Sequence, residues 1–326
     1  MKTLSRLERK LSDSSPTHWK QYDAMKSKLS EYELNFWQTN APEFTDHGRG
    51  HCIRLMERLD QLVPDSIIAQ MSALEVYILL CGTWLHDIGM LVREQRGEKF
   101  SPKQIREIHH ELSRDLVLEK YREYGIQHKK EAEYVAKLCY CHRVVTIGQE
   151  FANRREPVGS ETIYPRFLAG LLRLADEMDM DYRRAPECTL EVIKLRGDSE
   201  RFWKTCQKVK GIECDQSNAR IVVTCEFENE EDIRSLIMVL TKLNRTRKET
   251  CPFFEHGLKY DQIFGYLRNV ITDEEIWYTL NDINQNIYPR LMRKIEGKPA
   301  TFGRTEDIDQ LRDDLRKIVE GGVIEE

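Results

Sequence analysis

Apolar residues recur through the first half of the chain at the three-to-four-residue spacing of helices. Leu4, Leu7 and Leu11 form one stripe. Tyr22, Met25, Leu29, Tyr32 and Trp37 form a second, after a break at Ser14-Ser15-Pro16. A third begins at His51 and continues through Leu55, Leu59 and Leu62. Residues 70–88 are apolar on nearly every side, which predicts a helix buried all round, with Gly89 as its stop. Ser101-Pro102 supplies a cap and a first-turn proline for a helix striped by Ile105, Ile108, Leu112 and Leu116. Residues 129–145 place Ala132, Val135, Leu138, Cys139 and His142 on one side, and 167–179 is a second strongly apolar helix. Residues 93–100 and 146–165 are charged or rich in Gly and Pro and read as loops.

The texture changes near residue 188. Thr189 to Ile193 reads as a strand, Arg201 to Lys210 as a short helix, and 212–214 with 219–227 as a hairpin. Ile221, Val223, Cys225 and Phe227 then share one strand face, and Asn229 with Asp232 reads as a cap for the helix of Ile233, Leu236, Leu240 and Leu243. Residues 251–297 return to helical spacing through Ile276, Leu280, Ile283 and Ile287, and 304–326 is an amphipathic tail. The pattern predicts a mainly α protein: a helical bundle, with a small α+β unit placed before C-terminal helices. The segments are 1–40 (N-terminal helices), 41–187 (the bundle), 188–250 (the α+β unit) and 251–326 (C-terminal helices).

Composition narrows the class. Of 326 residues, 40% are hydrophobic and 32% charged, and the formal net charge is −5. That balance gives no general basic excess for nucleic acid, so a long polynucleotide substrate is not favoured. No apolar signal core opens the chain and no run of about 18 apolar residues occurs, so a cytoplasmic location and no membrane span are expected. The nine cysteines sit mostly alone in apolar runs, which reads as reduced buried thiols.

The chemistry gathers on faces that the pattern buries: His47, His51, His86, Asp87, His109, His142 and Asp176. Burying an imidazole beside a carboxylate is costly unless something ligates or neutralises the pair. On a 100° wheel His109, not His110, falls inside the apolar stripe. His47 and His51 are spaced i, i+4, which suits two ligands on one face or a polar helix start. Singly each residue has a bland explanation as a hydrogen-bonded core group. Together they offer imidazole and carboxylate ligands without thiolate, a set suited to one or two divalent ions: Mn, Fe, Co, Ni, Zn or Mg. Seven ligands exceed one tetrahedral site and suit two metals bridged by a carboxylate.

In order, these residues resemble the HD superfamily of metal-dependent phosphohydrolases, and within it the HD-CE branch. His51-Cys52-Ile53-Arg54-Leu55 resembles the H-x-x-R-V opening. Leu85-His86-Asp87-Ile88-Gly89 is the L-H-D-I-G motif, and His109-His110-Glu111-Leu112-Ser113 resembles H-x-x-x-[GS]. Leu174-Ala175-Asp176-Glu177-Met178-Asp179 resembles I-A-D-x-x-D. The resemblance covers about 44–185. It implies that His51, His86, Asp87 and Asp176 hold one metal and that Asp87 bridges to a second held by His109 and His142. His47 matches an extra ligand of some branches. Asp87 and His86 would be the catalytic pair, and a metal-activated hydroxide would attack phosphorus.

The chain departs from branches that cleave cyclic dinucleotides. Met90 stands where they carry Lys, His142-Arg143 replaces a paired His-His, and no G-Y-P follows. The implied substrate is a nucleoside mono- or triphosphate, a nucleotide messenger or another phosphorylated compound. Arg54, Arg143, Arg183 and Arg184 are candidate phosphate contacts or ordinary ion-pair partners. Two alternatives stand beside this reading. One is a single-strand nuclease, with Phe202 and Trp203 as stacking residues or as core. The other is a non-catalytic nucleotide sensor or assembly subunit, with a protein partner or a second copy met through the terminal helices.

Overall fold

The structure, a computed structural model, describes residues 4–31, 34, 43–95, 97–143, 145–186, 195, 197–227, 230–254, 258, 260, 262–269 and 275–280. The chain divides into two compact units: Met1–Asp179 with Glu249–Leu258, and Met180–Lys248 with Lys259–Glu326.

In the first unit, α1 (Arg6–Ser14) opens on a reciprocal cap between Ser5 and Glu8 and is followed by α2 (Pro16–Glu31). Then come α3 (Arg49–Leu62), α4 (Asp65–Gln70) and α5 (Ala73–Leu85), the last opened by the same kind of cap between Ser72 and Glu75. A 3-10 turn at Ile88–Leu91 leads into a short hairpin, β1 (Glu94–Gln95) and β2 (Glu98–Lys99). Ser101, Pro102 and Gln104 start α6 (Pro102–Lys120). After it come α7 (Lys129–Cys141), α8 (Ile147–Glu150), the hairpin β3 (Glu156–Val158) and β4 (Glu161–Ile163), and α9 (Pro165–Glu177).

Helix α5 is the axis of this unit. It packs against α1, α2, α3, α7 and α9. Val76, Ile78, Leu79, Leu80 and Cys81 are all fully buried, which explains the absence of a polar face. By length and composition Ala73–Leu91 would cross a membrane, but 94% of that window is buried inside the protein, as a core helix is. The stripes of α1 and α2 (Leu7, Leu11, Tyr22, Met25, Leu29) close over this core. A polar chain fixes them: Trp84 Nε1 donates to Tyr22 Oη at 3.0 Å, and Tyr22 donates to buried Glu8 at 2.7 Å.

The second unit contains α10 (Gly197–Lys208), β5 (Val209–Asp215), β6 (Arg220–Phe227) and α11 (Glu230–Thr250), whose last two residues, Glu249 and Thr250, fall in the first unit. It continues with β7 (Gln262–Asn269) and β8 (Glu275–Leu280). The sheet order is β5-β6-β7-β8, with β6 and β7 parallel and the outer pairs antiparallel. Ile221, Val223 and Cys225 of β6 are fully buried on one face, with Val209 and Ile212 of β5. Trp203 is buried too and serves as core rather than as a stacking platform.

The mainly α architecture with a small α+β part agrees with the hydrophobic pattern. Two elements differ. Helical spacing over 251–297, read through Ile276 and Leu280, predicts helix, whereas Gln262–Asn269 and Glu275–Leu280 are strands paired with each other. Ile276-Trp277-Tyr278-Thr279 are β-branched and aromatic, and a neighbouring strand to pair with outweighs a short helical period. The remaining helical positions, Ile283 and Ile287, lie outside the described residues, as do the 304–326 tail, the 189–193 strand, Asn229 and Trp37.

Gly89 also has a different reason from the expected one. Helix α5 ends at Leu85, and Gly89 lies inside the 3-10 turn without positive φ. What requires glycine is proximity: a Cβ there would lie 2.2 Å from the His109 carbonyl oxygen and 2.7 Å from the Ser113 nitrogen. The Gly89 N–H donates to Ser113 Oγ at 2.8 Å. Two small residues thus let the turn after α5 press onto α6. Gly89→Ala is expected to destabilise the protein by about 1–3 kcal/mol in urea unfolding, the range for overpacking. Gly148→Ala, with nothing within 4 Å of the added carbon, is the control and should change stability by less than about 0.5 kcal/mol.

Candidate metal centre

Five elements of the first unit bring their polar residues to one place. His51 lies in the first turn of α3, His86 caps the C-terminus of α5 with Asp87 next to it, and His109 lies in mid-α6. His142 caps the C-terminus of α7, and Asp176 is in the last turn of α9. The four imidazoles and Asp87 are buried.

Asp87 divides its two oxygens between two pairs of rings. Oδ2 lies 3.2 Å from His86 Nε2 and 3.5 Å from His51 Nε2. Oδ1 lies 3.2 Å from His109 Nε2 and 3.4 Å from His142 Nε2. Within each pair the Nε2 atoms are 3.1 Å apart. Asp176 Oδ1 joins the first group, 3.3 Å from His51 Nε2. The two sets, His51-His86-Asp87 and Asp87-His109-His142, each have ligand atoms close enough to share one ion.

The opposite edge of each ring explains why Nε2 is the available atom. His86 Nδ1 meets the Thr83 carbonyl at 3.0 Å, His109 Nδ1 the Arg106 carbonyl at 2.8 Å and His142 Nδ1 the Cys139 carbonyl at 2.5 Å. Each acceptor is three residues back on the ring's own helix. For His86 and His142 it is a last-turn carbonyl, a group the helix does not itself satisfy. His51 Nδ1 meets Asp179 Oδ2 at 2.6 Å. A carbonyl only accepts, so Nδ1 carries the hydrogen and Nε2 of the neutral ring carries a lone pair.

Four lone pairs and two carboxylates therefore converge in a buried space, and the closest pairs cannot hydrogen-bond as neutral rings. Cations resolve this. Ligand bonds of about 2.1 Å give ligand–ligand edges of about 3.0 Å in an octahedron and about 3.4 Å in a tetrahedron. The observed separations of 3.1–3.5 Å lie close to those edges. The residues fit one or two divalent ions, and the imidazole–carboxylate set leaves the choice of metal open.

Protonation follows the same geometry. Burial pushes His86 down, but the charges of Asp87 and Asp176 outweigh burial and lift it to about 8. Burial dominates at His109, which falls to about 3, and also lowers His142. Burial raises Asp87, yet the charge on the adjacent His86 holds its carboxyl well below the usual range.

The other candidate residues lie elsewhere. His47 precedes α3 instead of sitting one turn back on it. Its Nδ1 faces the Thr45 carbonyl, and its ring centroid is 5.9 Å from that of His51. Arg54 sits behind His51, with Nε and Nη2 on Asp179 at 2.7 and 3.0 Å and Nη1 on Asp46 at 3.1 Å. Arg143 Nη1 donates to the Arg106 carbonyl, the same oxygen that anchors His109. Arg183 forks onto Asp181 within the second unit, where Arg184 is also buried. Sequence reasoning gave Asp179 and Asp46 no part. Asp179 stands in the same closing motif as Asp176, so its position was visible although its partner was not.

The family model HD-CE matches residues 41–267. No curated protein and no solved structure matches the chain.

The buried rings make a pH prediction for protein stripped of metal. His109 and His142 stay neutral where an unfolded histidine, near about 6.5, takes a proton. Their contribution is complete above about pH 6.5 and is lost as pH falls below it. His86 works the other way: its contribution is complete below about 6.5 and lost as pH rises through about 8. Urea unfolding of chelator-treated protein is expected to show stability falling on both sides of about pH 6.5. A profile that is flat toward acid would contradict a neutral, buried His109-His142 pair.

Proposed function

The chain belongs to the HD-CE family, and on that footing we propose that it is a metal-dependent phosphohydrolase that acts on a nucleotide. The observation that carries this reading is the division of Asp87, one oxygen to each pair of Nε2 atoms. His51, His86, Asp87 and Asp176 would hold one divalent ion, and Asp87, His109 and His142 a second. Such ions supply hydroxide at neutral pH and neutralise charge on a phosphoryl group under attack. The nucleotide follows from the resemblance to phosphohydrolases: a mononucleotide or a nucleotide messenger is the substrate class.

The chain's own residues hold the centre in register. The carbonyls of Thr83, Arg106 and Cys139 fix three rings, and Asp179 fixes the fourth. Arg143 is half-buried next to His142, and its one hydrogen bond among the described residues is to the Arg106 carbonyl. That leaves guanidinium N–H groups to meet a phosphate oxygen. Cys52, Cys81, Cys139 and Cys141 of the first unit are buried free thiols, which supports a reducing, cytoplasmic setting.

The test is turnover. The purified full chain, loaded with Mn²⁺ or Co²⁺, is expected to release phosphate or nucleoside from a panel of nucleoside mono- and triphosphates and nucleotide messengers. Asp87→Ala should abolish release and strip bound metal, whereas Arg143→Ala should keep the metal and raise KM by about tenfold. Activity that survives Asp87→Ala would sink the mechanism. Cleavage of single-stranded DNA or RNA alone would favour a nuclease. Ligand-dependent stabilisation without turnover would favour a sensor.

A further inference from the structure

Behind His51 stands an ion pair that the proposed reaction leaves unused. Asp179 is fully buried and accepts the His51 Nδ1 hydrogen at 2.6 Å. Arg54 grips both oxygens of that carboxylate, Nε on Oδ1 and Nη2 on Oδ2. Arg54 Nη1 extends the chain to Asp46, whose other oxygen accepts the Gly48 N–H at 2.8 Å at the start of α3. A Cβ at Gly50 would lie 2.4 Å from Asp46 Oδ2 and 3.2 Å from Arg54 Nη1, so this packing requires glycine. The network ties the loop before α3, α3 itself and the segment after α9 to one ring.

The other three rings lack this support, since each rests on a neutral backbone carbonyl. A carboxylate behind an imidazole fixes its tautomer and plane and raises its basicity as a ligand. Arg54 neutralises the pair, so that burying Asp179 is tolerable. The same half of the centre has Asp176 Oδ1 3.3 Å from His51 Nε2, whereas the carboxylate oxygen that meets both His109 and His142 among the described residues is Asp87 Oδ1. We infer that the two halves are unequal, and that Asp179, held by Arg54, is the positioning residue that makes the His51 half the tighter and the first to fill. This rests on the metal-centre reading above and assigns Arg54 to support of a ligand instead of contact with phosphate.

Calorimetric titration of the metal-stripped full chain with Mn²⁺ tests it, with no turnover needed. Two classes of site are expected in the unaltered protein. His109→Ala should remove the weaker class only. Asp179→Asn should weaken the tighter class by about 10–100-fold and leave the weaker one within about twofold, a split that general loosening of the fold would not produce. If thermal melts show that Asp179→Asn does not fold, Arg54→Lys, which keeps the charge but not the fork, should shift the same class in the same direction. A single equivalent that survives His109→Ala and weakens with Asp179→Asn would also support the inference. Two equal classes, a single equivalent lost in His109→Ala, or an Asp179→Asn effect on the weaker class would overturn it while the metal centre stands. No Mn²⁺ binding by the unaltered protein would overturn both.

Discussion

The Asp87 carboxylate is 4% exposed and faces an imidazole pair on each of its oxygens. Left alone, such a charge would carry a desolvation cost that few contacts offset. Its neighbours do not relieve it as ordinary hydrogen-bond donors, because three of the rings give their Nδ1 hydrogen to backbone carbonyls. The arrangement is stable on its own only with a proton on a ring, as the raised His86 suggests, and it is well matched with cations among the nitrogens. The first unit is built so that this grouping forms at the end of its most apolar helix.

Position there is set by packing before any chemistry. Helix α5 is buried on all sides, so its C-terminal residues are delivered to the interior whether or not they are polar. Gly89 and Ser113 let the following turn press against α6, which brings Asp87 to His109. Helices α7 and α9 then contribute His142 and Asp176 from their last turns. Helix ends supply useful geometry: a terminal carbonyl seeks a donor, and an imidazole that provides one turns its other nitrogen toward the centre. Polar chemistry at the ends of buried helices is thus fixed by rigid elements, which holds ligands more accurately than loops do.

The second unit follows different rules. Its sheet places one parallel pair between two antiparallel ones, with α11 as the crossover from β6 to β7. Its apolar side is explained by core packing alone, Trp203 included. Arg183 and Arg184 belong to this unit, where Asp181 caps the short turn that holds them and pairs with Arg183. The metal groups lie wholly within the first unit.

Much of the bundle was legible from spacing, because an amphipathic period directly encodes which face is buried. The caps at Ser101-Pro102 and the largely apolar 73–85 stretch are local signals of this kind. The residue types of the centre were legible as well, since polar groups on buried faces stand out against their surroundings. The strands at 262–269 and 275–280 were not, because each forms against a partner strand, and no local period records a partner. The reason for Gly89 was equally hidden, because it is the nearness of His109 and Ser113, twenty or more residues on. The division of Asp87 between two pairs, and the Arg54-Asp179 support of His51, belong to tertiary structure alone. Side-chain direction at a helix end, and the meeting of residues 125 positions apart, are set by how helices pack, and one-dimensional pattern carries no record of that.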